Sequence, residues 1–198
     1  MRKICAVGQS EMMAVLQRER LLAGHEFPRN RAPRNNAPMD RSGSSPRLIV
    51  VCGLPGSGKT TLAKRLESSL RAIRFSPDEW MDALSLDIYD EGARAKIEAL
   101  QWKFARDLLT LGLTVIIEWG TWGRSERDTL RLGARALGAA VELHYLTAPV
   151  DVLFERIQQR GMENPPIERD AMLRWFEMFQ APTPEEMALF DVHSAPGS

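Results

Sequence analysis

Four groups of residues have the types and spacings that do chemistry. The first is Gly53-Leu54-Pro55-Gly56-Ser57-Gly58-Lys59-Thr60, a full match to G-x-x-x-x-G-K-[ST], with Thr61 after it. Glycines let the backbone curl so that successive N–H groups point at phosphate oxygens, backed by a helix N-terminus. Lys59 brings a mobile positive charge to the β and γ phosphates, and the Thr60 hydroxyl is placed to ligate Mg²⁺. The second is Phe75-Ser76-Pro77-Asp78-Glu79-Trp80, with the grammar of a helix start: Ser at the N-cap, Pro at the first position, Glu three on. An acid in a first helical turn also stabilises the helix dipole without doing chemistry, so the local pattern leaves Asp78 open between the two roles.

The third group is Val115-Ile116-Ile117-Glu118-Trp119-Gly120-Thr121-Trp122-Gly123-Arg124-Ser125-Glu126-Arg127-Asp128. An apolar strand ending in an acid places Glu118 at the carboxyl edge of a sheet, where ligands bind. Ser125 and Asp128 read as caps of the helix that follows. Arg124 and Arg127 are three apart and neighbour each other on it. The alternative is a solvated stripe of Arg127, Arg131 and Arg135 pairing with Glu126 and Asp128, which suffices for Arg131 and Arg135. Trp119 and Trp122 suit either a flat ligand or core packing. The fourth group is Glu155-Arg156-Ile157-Gln158-Gln159-Arg160-Gly161. Arg156 and Arg160 are i,i+4 and project from one helical face, either over a ligand or outward to Glu155 and Glu163.

In this order the motifs resemble the small P-loop kinases: gluconate kinase, chloramphenicol phosphotransferase, the zeta toxins, the kinase domain of polynucleotide kinases, and a bacterial branch of AAA-family ATP-binding proteins. The resemblance covers about residues 48–192. It implies an α/β fold, a three-layer P-loop NTPase like the nucleoside monophosphate kinases, with a mostly parallel five-stranded sheet. ATP and Mg²⁺ are the implied cofactors, with Gly53 to Thr61 around the nucleotide and Thr60 and Glu118 at the metal. Related kinases usually carry Asp where Glu118 stands. By resemblance Asp78 holds the acceptor hydroxyl and takes its proton, and Arg124 faces the acceptor or the transferring phosphate. Arg156 and Arg160 then close as a lid whose tip is Gly161–Pro166. The implied reaction transfers the γ-phosphate of ATP to a hydroxyl of a small molecule such as a sugar, nucleoside or antibiotic. A polynucleotide 5′-hydroxyl is the alternative acceptor. A switch that binds ATP without phosphorylating anything is the alternative from another class, and such a switch would not need Asp78.

The elements that must position these groups alternate. Apolar runs at Leu48–Cys52, Ala72–Phe75, Thr114–Ile117, Val141–Leu146 and Leu189–Val192 predict five strands. Helices are predicted from Lys59 to about Leu70, from Ser76, from about Glu91 to Gly112, from Ser125 to near Gly138, over Pro149–Arg160 and over Ile167–Phe179. On the long one, Ile97, Leu100, Phe104, Leu108 and Leu111 form the predicted apolar face. Met172 and Met178, beside Trp175 and Phe176, either pack the last helix or line an acceptor pocket.

The chain has 198 residues, 44% hydrophobic and 26% charged, enough for one domain with a real core. Its 26 basic and 26 acidic residues cancel, but unevenly. Residues 1–47 hold nine Lys/Arg and four acids, +5, which leaves −5 for the remainder. The expected division is a flexible basic extension over 1–46 and a kinase-like domain over 47–198. Within the extension, Glu11–Leu22 suits a short amphipathic helix and Pro28–Pro46 a linker, with Met39 a candidate start. An acidic core disfavours nucleic acid, although the extension could reach phosphates. No stretch approaches about 18 uninterrupted apolar residues, so no transmembrane helix is expected. Cys5 and Cys52 form no disulfide framework, so a reducing, cytoplasmic setting is expected. Cys52 reads as a small buried apolar residue, and His144 as a core or edge histidine.

Overall fold

In the computed structural model, residues 45–161 and 166–192 are described. The predicted basic extension, its helix and linker, and most of the lid tip lie outside these residues. The elements run β1 (Arg47–Cys52), α1 (Lys59–Leu70), β2 (Ile73–Phe75), α2 (Pro77–Ala83), α3 (Glu91–Thr110), β3 (Thr114–Gly120), α4 (Arg124–Arg135), β4 (Ala140–Tyr145), α5 (Val150–Arg160), α6 (Arg169–Met178) and α7 (Pro184–Met187). Four strands pair in the order β2-β3-β1-β4, all parallel. No helix among the described residues is long and apolar enough to cross a membrane.

β1 is buried on both faces because helices cover both. Leu48, Val50 and Cys52 point to one side, where they meet Trp102, Ala105 and Leu109 of α3 and Leu130 and Ala134 of α4. Ile49 and Val51 point to the other, onto Ala63 and Leu66 of α1. The alternation follows from the period-2 geometry of a strand, and the result is the predicted three layers. A buried aliphatic side chain contributes about 1.5–3 kcal/mol, so β1 anchors the loop that follows it.

Two expectations fail here. The fifth strand, Leu189–Val192, is not one. Leu189 and Val192 are exposed, Phe190 packs into the core, and of the four only Asp191 hydrogen-bonds to the sheet. Its N–H donates to Val141 O at 2.7 Å, and its carboxylate accepts from Val141 N at 2.6 Å. One residue thus occupies the edge of β4, and its side chain takes the place of a ladder. The apolar face of α3 is also rotated from the predicted one. Of the predicted face, Ile97 is buried and Leu108 packs on the core, but Leu100, Phe104 and Leu111 are exposed, while Glu98, Gln101, Trp102, Ala105 and Leu109 are buried. Trp102 decides this, because its ring fills the space over Gly133, where a Cβ would lie 2.6 Å from Cζ2. Gln101 is tolerated inside because its Oε1 accepts the indole N–H of Trp119 at 2.8 Å.

Candidate functional site: a cleft at the carboxyl edge of the sheet

The phosphate loop leaves β1 at Gly53 and enters α1 at Lys59. Two of its glycines are required by close approach. A Cβ on Gly53 would lie 2.3 Å from Leu146 O, and one on Gly56 would lie 2.6 Å from Leu153 O. Gly56 therefore lets α5 rest on the loop. The Arg156 guanidinium reaches Gly56 O at 3.5 Å, and Leu54, Leu153, Ile157 and Met172 close the joint beneath. The loop and the helix that carries Arg156 and Arg160 form one packed unit.

Lys59 donates to Leu54 O at 3.0 Å. Burial lowers its amine pKa below the ordinary lysine value, while Glu118 and Asp78 resist that shift. The Thr60 hydroxyl donates to Glu118 Oε1. The other oxygen of Glu118 accepts from Arg74 Nη1 at 2.8 Å. Arg74 sits on β2 and also holds Glu67 of α1, at 3.0 Å, and Glu79 of α2. Burial alone would lower the Arg74 pKa, but hydrogen bonds to Glu67 and Glu79 and the charge of Glu118 raise it. Arg74 was not singled out from sequence. A basic residue on a three-residue strand gives no sign that three acids from three elements converge on it.

Asp78 lies in the first turn of α2 with its side chain exposed, as the helix-start grammar predicts; the Ser76 hydroxyl makes no cap bond. Asp78 is ion-paired with Arg94 of α3, which lies 3.6 Å from Glu98. Arg94 was also missed. Its i,i+4 spacing to Glu98 was the available signal, and that spacing usually marks only a surface pair.

A cleft of about 1120 Å³ joins these groups. Lys59, Thr60 and Thr61 line it together with Asp78, Glu118, Arg156 and Arg160, as do Pro55, Gly56 and Gly58 of the loop. Gly53, Leu54 and Ser57 form the loop's inner side and are not among its walls. It opens at the carboxyl ends of β1 and β3, on the expected edge of the sheet.

Arg124 is not brought to the cleft: it is half exposed and lies 3.6 Å from Asp128. Arg127 is fully buried, not part of a solvated stripe. It pairs with Glu186 at 2.6 Å and donates to Thr121 O, Trp122 O and Gln180 O. That clamp holds the turn after β3, where Thr121 takes φ 43, a left-handed conformation costing a β-branched residue about 1–3 kcal/mol. Arg131 pairs with Asp128 as expected, whereas Arg135 pairs with Asp191. The helix begins at Arg124, and its cap is the Glu126 carboxylate accepting from Gly123 N at 3.0 Å, not Ser125 or Asp128. Trp119 is buried in the core with its edge on the cleft, and half-buried Trp122 lies 5.9 Å from Trp175. Met172 is buried and Met178 lines the cleft. Cys52 is buried, and desolvation pushes its thiol up to about 12, which keeps it from acting as a nucleophile. His144 is a partly buried strand residue 3.2 Å from Glu142.

The AAA-domain family profile matches residues 48–182, about two thirds of the sequence. The chain belongs to this AAA-domain family. The resemblance to small P-loop kinases drawn from the motifs stands with it, as does the P-loop NTPase kinase-like fold, with four strands in place of five. Among solved structures, this AAA-domain protein is similar to a gluconokinase from Sinorhizobium meliloti 1021, at 20% identity and TM-score 0.52 over 71% of this chain and 79% of that one. It is similar to Kti12 from Chaetomium thermophilum, solved with ADP-AlF3, at 22% identity and TM-score 0.54 over 70% and 82%. A chain of the Pnkp1/Rnl/Hen1 RNA repair complex gives TM-score 0.60 at 21% identity, over 81% of this chain and 49% of that one. At these identities the likeness is one of fold. No curated protein matches the chain.

Proposed function

We propose that the protein is an ATP- and Mg²⁺-dependent phosphotransferase that moves the γ-phosphate to a hydroxyl of a small molecule. One observation carries the reading: a single cleft is lined by the phosphate loop with Lys59, by Asp78, and by Arg156 and Arg160. A nucleotide switch needs the first of these but has no use for a second carboxylate, beyond the one at the metal, placed to take an acceptor's proton.

The residues fit the implied metal. The Thr60 hydroxyl and the Glu118 carboxylate converge at the neck of the loop, and Ser57 Oγ is buried without a partner. Two oxygen ligands from the protein are what Mg²⁺ commonly takes when nucleotide phosphates and water supply the others. When bound, Mg²⁺ would neutralise charge on the β and γ phosphates.

The chain's own residues then divide the work. Loop N–H groups and Lys59 hold the phosphates. Asp78 orients the acceptor hydroxyl and takes its proton as the acceptor oxygen bonds to Pγ. The bond from Pγ to the bridging oxygen breaks, and ADP leaves. Arg156 and Arg160 neutralise the group in flight and keep water out. Asp78→Asn should lower transfer by about 10²-fold or more while nucleotide affinity stays within about twofold. The measurement is ADP release with a metabolite extract, with the phosphorylated product found by mass. Undiminished turnover in the variant would refute the role. Nucleotide binding with no phosphorylated product from any extract would favour the switch.

A further inference from the structure

We propose that the acceptor carries no negative charge and presents a flat or apolar body beside its hydroxyl, so that carboxylated and phosphorylated acceptors are excluded. This rests on the phosphotransferase reading and names its substrate class.

The cleft's positive charge is divided between two sides. Lys59 and Arg65 come from α1, and Arg156 and Arg160 from α5, the elements around the phosphate loop. From the α2–α3 side, where Asp78 stands, the only basic lining residue among the described residues is Arg94. Its side chain is 14% exposed and is held by Asp78 on one side and Glu98 on the other. Glu91 adds a third carboxylate, one turn before Arg94 on the same helix and also lining the cleft. Asp78, Glu98 and Glu91 all act to keep Arg94 charged against its burial. Arg94 is therefore compensated before any acceptor arrives. A carboxylate or phosphate on the acceptor would meet Asp78 and Glu91 on the cleft wall, beside a guanidinium that they and the buried Glu98 behind it already neutralise, and like charges brought together in a partly desolvated cleft oppose binding.

The remaining walls are apolar. Ile88 and Tyr89, between α2 and α3, line the cleft and are 39% and 42% exposed. Trp119 lines it too, and its only polar atom is already bonded to Gln101. Trp122 and Trp175 pack ring against ring at 5.9 Å with both on the cleft. Rings and aliphatic groups lining the same cleft as Asp78 suit an acceptor whose hydroxyl meets that carboxylate and whose body lies on apolar surface.

The test is a binding measurement, so it stands apart from whether transfer occurs. With Mg²⁺ and a non-hydrolysable ATP analogue present, calorimetry compares 4-nitrophenyl β-glucoside, which is neutral and aryl, with gluconate and glucose 6-phosphate. The aryl glucoside should bind at least about tenfold more tightly than either anion. Trp122→Ala and Trp175→Ala should each weaken it about tenfold with affinity for the ATP analogue unchanged. Glu91→Gln, on the helix surface, should narrow the preference several-fold by admitting gluconate. The buried Glu98→Gln should do the same where it folds. Gluconate binding as tightly as the aryl glucoside, binding by neither, or a preference unmoved by Glu91→Gln overturns the proposal. Loss of Asp78-dependent transfer with these preferences intact would instead count against the reading beneath it.

Discussion

Replacing Arg74 with methionine should destabilise the protein, and the size follows from which of its three acids is buried. The Glu118 side chain is 5% exposed, whereas Glu67 and Glu79 are 38% and 48% exposed. The two outer pairs are screened by solvent and contribute about 0.2–1 kcal/mol each. Glu118 is different, because Arg74→Met leaves a carboxylate in the core whose only described hydrogen-bond partner is the Thr60 hydroxyl. Stranding one member of a buried pair costs about 3–5 kcal/mol, so most of the loss should come from Glu118. Urea denaturation of the wild type, Arg74→Met, Glu118→Gln and the double variant closes the cycle. The double variant should recover most of what Arg74→Met lost, since neither charge of the Arg74–Glu118 pair then remains. It should not recover Mg²⁺-dependent phosphoryl transfer, because the carboxylate beside Thr60 is gone. A loss below about 1 kcal/mol in Arg74→Met, or no recovery in the double variant, would show that Glu118 is not held as described.

Two further outcomes concern titration. The Lys59 pKa is lowered, so the folded chain holds that proton less firmly than the unfolded one, and this site's contribution to stability should rise with pH until the ordinary lysine pKa is reached. In the window just below 10.5, Lys59 should acylate faster than the other lysines, and ATP should protect it; peptide mapping after brief acetic anhydride labelling would read this, and labelling unaffected by ATP would contradict it. Asp191 has its pKa lowered, first by its hydrogen bond from Arg135 and then by the Val141 N–H. The stability it contributes is present above its unfolded pKa of about 3.8 and lost as pH falls through the lower folded value; Asp191→Asn should flatten the acid limb there, and an unchanged limb would remove the role assigned to it.

What the sequence determined by itself is what contiguous residues can specify. The phosphate loop, the strand before it and the helix after it are one stretch, and both the spacing and the required glycines are local. The same holds for Pro77 at the start of α2, for Asp78 in its first turn, and for Arg156 and Arg160 on one helical face ended by Gly161. Tertiary structure decided which charges meet. Arg74 finds Glu118 across 44 positions and Arg127 finds Glu186 across 59, and no periodicity encodes either partner. It also decided which face of α3 turns inward, because Trp102 needed the space over Gly133 on another helix. It separated arginines that look alike in sequence: Arg127 clamps a strained turn, Arg124 pairs at the surface, and Arg94 is compensated inside the cleft. A guanidinium's role is set by the carboxylates around it and by its distance from water, and long-range packing alone fixes both.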